Sequence, residues 1–338
     1  MKDNICMIGH FAIGTDYNDG QTVKTREIYN QLENEKYQIE IIDTYKFKKK
    51  IFSFLFKIIK NFFRSKYVIL VVASGGAKIL IPFLTFINFS KKRKICYCCV
   101  GSWLDDRIDN DAILRKSVKK LDTIFVETDD LQENLEKRKL NNIKKLYNFK
   151  MLDLSQIAEK KKKNHFCVFS RIMEQKGISD AIYVFKKLKD DGYECQLDIY
   201  GPINNDYKEK FFSEIENCSN AQYCGSKQPN MSVKYVSQYC GLIFPTHYLK
   251  EGLPGTLIDA YFSGTPIISS NWKSATEFVP PSVGFVYEFA SKEKLYEIMK
   301  NLLDNPKLLE GKQQGCKEFA QNFIPSEAIK PLISFLEK

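Results

Sequence analysis

Short apolar runs alternate with amphipathic segments along most of the chain. Runs rich in Ile, Val and Phe are typical of strands that are buried on both faces of a sheet. The strand candidates include "NICMIGHF", "YQIEIID", "YVILVVA", "KICYCCV" and "TIFVET" in the first half, and "HFCVFS", "CQLDIYG", "GLIFPT" and "TPIIS" in the second. The segments between them, such as 25–34, 179–190 and 206–216, have helical periodicity. Strands that alternate with helices predict an α/β protein with parallel sheets built from βαβ units.

A polar segment at 148–164 interrupts this alternation near the middle of the chain. Its run of lysines offers no apolar surface that folding could bury, so we interpret residues 151–162 as a linker. The predicted Rossmann-like domains span 1–150 and 163–325. Residues 326–338 are predicted to form a helix that could pack back across either domain.

The net charge of the chain is partly localised. The formal charge is +10, from 51 Lys and Arg against 41 Asp and Glu, which indicates an anionic partner such as a lipid surface, nucleic acid or a phosphorylated ligand. Residues 46–66 hold eight basic residues and no acid, with bulky apolar residues between them. This pattern predicts a basic amphipathic helix in a membrane interface, and a core-facing helix with a solvated lysine edge is the alternative. The predicted membrane contacts are Lys50, Phe52, Lys57, Lys60, Phe63 and Arg64.

The next apolar stretch is interrupted too often to cross a bilayer. A span needs roughly 20 apolar residues, whereas Gly75, Lys78 and Pro82 break residues 67–89 into a predicted strand, a turn and a short buried helix. The chain also starts without the apolar region and cleavage site of a signal peptide. We therefore expect a cytoplasmic protein that lies peripherally on the inner face of the membrane.

Ten cysteines are scattered along the chain. Cys96, Cys98 and Cys99 lie in a predicted strand, where alternate side chains face opposite ways, and no matching histidine spacing supports a zinc site. The cysteines are predicted to be reduced and mostly buried.

The stretch "EGLPGTLIDAYFSGTPIIS", from Glu251 to Ser269, carries two acids in a glycine-rich setting. Pro254 suits the start of a helix and Gly264 its end, so the helix begins just beyond the carboxyl end of the strand "GLIFPT". Ligands of open α/β sheets bind at this edge, and a helix N-terminus that follows glycines suits a phosphate. On this interpretation Glu251 binds the hydroxyls of a sugar and Asp259 binds a ribose, at the two ends of a sugar–diphosphate–ribose ligand. A helix cap with a surface acid is the alternative.

A second segment supplies positive charge for a diphosphate. In "FSRIMEQKGISD", Arg171 ends the first strand of the second half, and Lys176 lies in the loop that opens the next helix. Arg can hold two phosphate oxygens in a fork, and Lys acts as a point charge. Two ordinary surface cations would give the same pattern.

The combination of "SRIMEQKG", "DIYGP" and "EGLPGTLIDAYFSGTPIISS" resembles the retaining, nucleotide-sugar-dependent glycosyltransferases of family 4. The branch that it resembles most builds bacterial capsule, O-antigen and exopolysaccharide, and "YNDGQTVKTREIYNQL" and "VGSWLDD" are similar to that branch as well. The resemblance covers most of the chain. It implies the GT-B fold, with two Rossmann-like domains whose parallel sheets face a central cleft.

The resemblance also implies roles for individual residues. The first domain binds the acceptor, and the second binds the donor with Arg171 and Lys176 on its diphosphate and Glu251 on the transferred sugar. Asp259 replaces the glutamate that is usual at the ribose. The residues assigned to donor binding are Gly20, Gly201, Gly252, Leu253, Pro254, Gly255, Thr256 and Asp259.

One family residue has no counterpart in this chain. Many members carry a histidine in the first domain near the reacting carbon, and the matching region here reads "GSWLDD". Asp105 and Asp106 of this region are candidates for assisting the acceptor. His247 lies near the predicted donor site, where its role is either structural or on the donor side.

Neither a cofactor nor a metal is expected. Asp105 and Asp106 are adjacent, which is not the Asp-x-Asp pattern of a metal site. Negative charge develops on the leaving nucleoside diphosphate, where Arg171, Lys176 and the helix N-terminus can stabilise it. The resemblance implies transfer on the front face of the donor without an enzymic nucleophile. The expected acceptor is a saccharide, lipid-linked if the basic helix binds a membrane.

Three other functions fit parts of the sequence. An NAD(P)-dependent oxidoreductase or sugar-nucleotide epimerase should carry G-x-G-x-x-G after its first strand, but "MIGHFAIG" has glycines only at Gly9 and Gly14. A nucleic-acid-binding protein would fit the net charge, but the cations are interleaved with aromatic residues and no nucleic-acid motif is present. An inactive sugar-binding homologue would share every feature above.

Overall fold

The computed structural model describes residues 4–15, 17, 19–45 and 51–337. The chain forms two compact units, the first from Met1–Lys150 with Ile324–Lys338 and the second from Met151–Phe323. The C-terminal residues therefore belong to the first unit. Residues 151–162, which we interpret from the sequence as a linker, cluster with the second.

Strands and helices alternate in both units. The strands are β1 (Ile5–Gly9), β2 (Ile39–Asp43), β3 (Tyr67–Val71), β4 (Lys94–Cys98), β5 (Thr123–Val126), β6 (Ile143–Lys145), β7 (Lys162–Phe169), β8 (Gln196–Tyr200), β9 (Ala221–Tyr223), β10 (Tyr239–Phe244), β11 (Ile267–Ser270) and β12 (Gly284–Tyr287). The helices are α1 (Gly20–Asn34), α2 (Ile51–Arg64), α3 (Ser74–Ile87), α4 (Leu104–Asn110), α5 (Ala112–Val118), α6 (Asp129–Lys137), α7 (Ile178–Asp190), α8 (Lys208–Glu216), α9 (Ser232–Val236), α10 (Gly255–Phe262), α11 (Ala275–Phe278), α12 (Lys292–Asp304), α13 (Lys307–Glu310), α14 (Gln313–Phe319), α15 (Pro325–Ala328) and α16 (Lys330–Leu336).

The first unit is built on a parallel sheet of six strands in the order β2-β1-β3-β4-β5-β6. Helices α2 to α6 bury their apolar sides against one face of this sheet, in a core that includes Phe54, Ile81 and Leu131. Helices α1 and α16 cover the other face. The ring of Phe335 on α16 packs edge-on against Tyr67, so the C-terminus completes the core of the first unit.

The second unit has its own parallel sheet of six strands, in the order β12-β11-β10-β7-β8-β9. From β7 the chain proceeds to β8 and β9 on one side and then returns to β10 on the other. This is the strand order of a dinucleotide-binding sheet, and its switch point lies between β7 and β10. Both segments that the sequence singles out for donor binding follow these two strands.

The cysteines behave as predicted. All ten are free, and eight of them are buried. Burial raises the pKa of the thiols of Cys99, Cys240 and Cys316 to about 12, so these groups stay protonated at neutral pH. The prediction that the cysteines are mostly buried is confirmed.

The segment after β3 corrects one prediction. Residues 74–87 form the 14-residue helix α3, and only its inner side is buried, for instance at Ala77 and Leu84. Ile79 and Phe86 expose 63% and 77% of their surface, so the prediction of a short buried helix was wrong. Apart from Lys78, the outer side of the helix carries apolar residues as well, and its periodicity therefore does not distinguish an inner face from an outer one. Among the described residues, no helix is long and apolar enough to cross a bilayer.

Candidate functional site

The loops after β7 and β10 meet at the switch point of the second sheet. Gly177 has a φ of 64°, and a Cβ at this position would lie 1.9 Å from the carbonyl oxygen of Pro245. The backbone N–H of His247 donates to the carbonyl oxygen of Gln175 at 2.9 Å. The imidazole Nε2 of His247 also lies 2.7 Å from Oδ2 of Asp180 on α7. The close approach requires glycine at 177, because any side chain would push the two loops apart.

These loops bring Lys176 and Glu251 into direct contact. The Lys176 ammonium forms an ion pair with Oε1 of Glu251, and the hydroxyl of Thr246 donates to the same oxygen at 2.8 Å. The Lys176 side chain is 20% exposed and that of Glu251 11%. The Lys176 ammonium also lies 5.8 Å from the centre of the Phe244 ring. A charged pair that keeps an open side at a switch point is well placed to contact a ligand.

Arg171 lies at the end of the strand next to this pair. The residue is exposed, just beyond the carboxyl end of β7. Its guanidinium makes no hydrogen bond or ion pair within the described ranges of the chain. The guanidinium is therefore available to an anion.

Helix α10 begins without a side-chain cap. Pro254 occupies the cap position in an extended conformation and has no side-chain acceptor for the first N–H groups of the helix. The hydroxyl oxygen of Thr256, in the first turn, is buried and has no hydrogen-bond partner in the described part of the chain. Because buried polar groups are normally bonded, an uncapped N-terminus with an unpaired hydroxyl indicates a site for an anionic ligand.

Asp259 is enclosed rather than open. It lies in the second turn of α10 with 1% of its surface exposed, whereas Glu251 retains 9%. The sequence interpretation places Asp259 on a ribose, but the structure leaves almost no carboxylate surface for that contact. Direct binding of a ribose at Asp259 therefore requires a rearrangement around α10.

The other residues that the sequence assigns to donor binding differ in their exposure to solvent. Gly252, Pro254 and Gly255 are partly exposed at the start of α10, and Leu253 is buried. Gly201 has a φ of 141° and a Cβ there would lie 1.8 Å from the carbonyl oxygen of Ser170, so packing alone explains this glycine.

Gly20, Asp105 and Asp106 belong to the first unit. Gly20 opens α1, and a Cβ at this position would meet no atom within 4 Å. Packing within the described structure therefore gives no reason for a glycine at 20. Asp105 on α4 is buried and accepts a hydrogen bond from Nδ2 of Asn134 at 3.3 Å, whereas Asp106 is exposed.

Several polar groups of this region are absent from the sequence prediction. Thr246 and Asp180 orient Glu251 and His247, and Trp272 Nε1 and Ser274 Oγ are buried without a partner among the described residues. Thr246 could have been found, since it ends the strand "GLIFPT" and strand ends carry ligand contacts. In the described ranges, no group of three or more His, Cys, Asp or Glu side chains is arranged to hold a metal ion.

Known proteins with a similar sequence include a capsule enzyme. Residues 151–322 match the family model "Glycosyl transferases group 1". The capsular polysaccharide biosynthesis glycosyltransferase CapM of Staphylococcus aureus is 23% identical over 184 residues, which are 53% of this chain and 48% of CapM. The match therefore spans about half the length of that relative.

Solved structures resemble the whole chain at low identity. Anabaena HepE in complex with UDP has a TM-score of 0.77 and 12% identity over 99% of both chains, and its complex with UDP-glucose has a TM-score of 0.76 and 13% identity over the same shares. The pneumococcal O-GlcNAc transferase GtfA, in complex with UDP and GlcNAc, has a TM-score of 0.65 and 18% identity over 84% of this chain and 59% of its own. At these identities the likeness concerns the fold, and the predicted α/β class with a GT-B fold is confirmed. Because the family model covers just over half of the chain, this protein belongs to the group 1 family of glycosyl transferases.

Proposed function

We propose that this protein transfers a sugar from a nucleoside-diphosphate donor to a saccharide acceptor, with retention at the anomeric carbon, in the synthesis of a bacterial surface polysaccharide. The uncapped N-terminus of α10 beside the Lys176–Glu251 pair is the observation that carries this proposal, since a helix N-terminus suits a phosphate and the carboxylate next to it suits a sugar. The names of the relatives support the donor class. HepE and GtfA have structures with UDP, and CapM is named for capsular polysaccharide biosynthesis. Family 4 is the proposed family within this class.

Lys176 changes its partner when the donor binds. In the structure its ammonium is paired with Glu251. A diphosphate at the N-terminus of α10, also held by Arg171, attracts the ammonium and releases the Glu251 carboxylate to accept hydrogen bonds from the sugar. Because each charge gains a new partner, the exchange leaves no buried charge unpaired.

The same groups stabilise the leaving group. As the bond to the anomeric carbon breaks, negative charge grows on the departing diphosphate, where Arg171, Lys176 and the helix N-terminus lie. A phosphate oxygen of the donor accepts the proton of the attacking hydroxyl on the same face of the sugar. The proposed reaction therefore needs neither an enzymic nucleophile nor a metal ion. His247, which is held by Asp180, supports the loop and takes no part in proton transfer.

The acceptor is proposed to be linked to a membrane lipid. Helix α2 presents exposed Lys57, Lys60 and Arg64 together with Phe52 and Phe63, which expose 86% and 53% of their surface. Lys50, the remaining predicted contact, lies outside the described residues. Contact of α2 with anionic lipid would hold the protein at the inner face of the membrane. Glutamine at Lys50, Lys57, Lys60 and Arg64 should release the protein from anionic vesicles, and unchanged flotation would contradict this contact.

A nucleotide screen by thermal shift tests the donor site. UDP, GDP, CDP, ADP, NAD and NADP are compared with and without magnesium, since a ligand at 100 times its dissociation constant adds about 2.7 kcal/mol to the free energy of unfolding. We expect one nucleoside diphosphate to raise the melting temperature without metal, and Arg171→Ala to remove the effect. A response to NAD or NADP alone would favour the oxidoreductase. Turnover of a labelled donor distinguishes the enzyme from an inactive homologue.

A further inference from the structure

The basic charge of the chain is confined to one stretch of the first unit. Residues 44–104 contain thirteen Lys or Arg and no Asp or Glu, so this stretch carries +13 against +10 for the whole chain. The remaining residues are therefore slightly acidic in sum. A single strongly basic region indicates one anionic partner that binds there, rather than a general preference for anions.

The same stretch carries the exposed Phe side chains of the described residues. Every Phe that is exposed among the described residues lies between 52 and 89. They are Phe52, Phe56, Phe63, Phe86 and Phe89, with 86%, 67%, 53%, 77% and 88% of their surface exposed. Soluble monomers rarely leave large apolar groups so concentrated in water, and such a patch usually marks an interaction surface.

The exposed residues of α2 form a stripe. Phe52, Phe56, Ile59 and Phe63 recur at intervals of four, three and four residues, which places them along one side of the helix. The buried side of the same helix lies at different positions, for instance at Ile58. The aromatic stripe of α2 is therefore not part of the core.

Helix α3 carries a second stripe. Ile79 and Phe86 are exposed and Phe83 is partly exposed between them, again at intervals of four and three residues. Lys78 is the one charged residue among the 14 of this helix. A helix that is apolar on all sides is normally buried or spans a membrane. Fourteen residues extend about 21 Å, which is too short for a hydrocarbon core of about 30 Å.

The two stripes belong to the same face of the first unit. The inner sides of α2 and α3 share one core on one face of the sheet, with Phe62 from α2 and Ala77 from α3 among its members. Arg93, in the turn after α3, donates from Nη2 to the carbonyl oxygen of Phe63 at 2.5 Å. This bond ties the turn after α3 to the C-terminus of α2.

We propose that the outer sides of α2 and α3 form one docking surface for an anionic lipid bilayer. Phe86 and Phe89 at the end of α3 insert at the interface, while the exposed Lys91 and Lys92 beside them contact lipid phosphates. The inference rests on the proposed function, to which it adds α3 as a second membrane element. A bilayer is favoured over other anions because it offers apolar and anionic groups together, whereas duplex nucleic acid, whose bases are already stacked, would leave the Phe side chains in water.

Vesicle flotation of a double variant tests the contribution of α3. Phe86→Ser with Phe89→Ser should lower partitioning onto phosphatidylglycerol-containing vesicles by about tenfold or more, because both positions lose the apolar side chain that inserts at the interface. Leu308→Ser, at an exposed site in the second unit, is the matched control and should bind like the wild type. Wild-type binding by the double variant would overturn the proposal.

A fluorescent reporter locates the insertion directly. Tryptophan at position 89, introduced as Phe89→Trp, should shift its emission to the blue on anionic vesicles and be quenched by brominated acyl chains, and Leu308→Trp should do neither. Absence of quenching at position 89 would overturn the proposal. Two further results would overturn it. One is a wild-type protein that does not bind vesicles but forms a dimer that the double variant cannot form. The other is RNA that displaces the protein from vesicles, with no quenching of the tryptophan at position 89 by the acyl chains.

The proposed function and the proposed docking surface can be contradicted independently of each other. Nucleotide binding, measured as the UDP-dependent rise in melting temperature, should be the same in the wild type and the double variant. Vesicle binding with no nucleotide response would support the docking surface and contradict the proposed donor site. A nucleotide response with no vesicle binding would support the donor site and contradict the docking surface.

Discussion

Each unit holds a Lys–Glu ion pair next to its parallel sheet, and the two pairs differ in their access to solvent. In the first unit Lys24 on α1 pairs with Glu127 after β5, and both side chains are 4% exposed. The Lys24 ammonium also donates to the carbonyl oxygen of Cys99 at 2.8 Å. In the second unit the side chains of Lys176 and Glu251 are 20% and 11% exposed; Lys176 ends a short 3-10 turn and Glu251 lies on a loop.

The difference separates a structural pair from a binding pair. Charges sealed from water stabilise each other only while both are present, so a closed pair cannot release one partner without a large cost. A pair with an open side can exchange one partner for a ligand, because water or phosphate solvates the charge that is released. The Lys24–Glu127 pair should therefore affect folding, and the Lys176–Glu251 pair should affect catalysis.

The largest expected effect is on the stability of the first unit. Lys24→Met should lower the free energy of unfolding by about 3–5 kcal/mol, because Glu127 is left as an uncompensated buried charge. The double variant Lys24→Met with Glu127→Leu should recover most of this loss, since neither charge remains. Urea unfolding measures both variants. Equal destabilisation by the single and double variants would contradict a structural pair.

The next effect is on the rate of transfer. Glu251→Ala should reduce sugar transfer on the order of 100-fold, because the carboxylate serves the sugar in the transition state. UDP affinity should fall little, since Lys176 becomes fully available to the diphosphate. Initial rates with a labelled donor and calorimetric titration with UDP separate the two quantities. Equal losses in rate and in affinity would place Glu251 on the nucleotide instead.

A smaller effect is expected on donor affinity. Lys176→Met should weaken UDP binding by about tenfold, the value of one charge-assisted hydrogen bond to phosphate. Unfolding of this variant should change less than that of Lys24→Met, because the Lys176–Glu251 pair is less enclosed and the Thr246 hydroxyl still donates to Glu251. Lys210→Met is a suitable control, since Lys210 is 51% exposed and pairs only with the surface residue Glu174 among the ion pairs of the described chain.

The smallest effect concerns a lysine whose close partners are neutral. Lys161 donates to the hydroxyl of Thr265 at 2.7 Å and to the carbonyl oxygen of Ser237 at 3.1 Å. Burial lowers its pKa from 10.5 to about 8. Between these values the unfolded chain holds a proton that the folded protein has released, so stability from this group rises with pH.

The pH dependence of the free energy of unfolding is compared between the wild type and Lys161→Met, so that the contribution of the Lys161 ammonium is separated from that of all other groups. From pH 8 to pH 9 the wild type should gain up to about 1 kcal/mol in free energy of unfolding relative to the variant. Urea unfolding at the two pH values measures the change. A difference between the two proteins that stays constant across this window would show that the ammonium is not desolvated.

The two ion pairs also show what the sequence can and cannot predict. Lys176 and Glu251 were found because each stands in a short motif at the end of an apolar strand, and strand ends in α/β sheets are known ligand positions. Lys24 and Glu127 are separated by 103 positions and have no local pattern, so only the fold brings them together. The alternation of strands and helices predicted the fold class for the same reason, because it is a local signal.

Burial was the property that the sequence predicted least well. The acid at 259 has the spacing expected of a ribose ligand, but its exposure depends on the neighbours of α10. Helix α3 was expected to be buried because it is apolar, and its outer side faces solvent. The burial of Asp259 and the exposure of α3 could not be read from the sequence, because a sequence pattern describes one element, whereas exposure depends on every element that packs around it.

The most direct test of the donor site is calorimetric titration of UDP, without metal, into the wild type, Lys176→Met and the double variant Lys24→Met with Glu127→Leu. If the open pair is the binding pair, Lys176→Met weakens UDP by about tenfold and the double variant binds like the wild type. Equal affinity for UDP in the wild type and Lys176→Met would contradict the assignment of the donor diphosphate to Lys176.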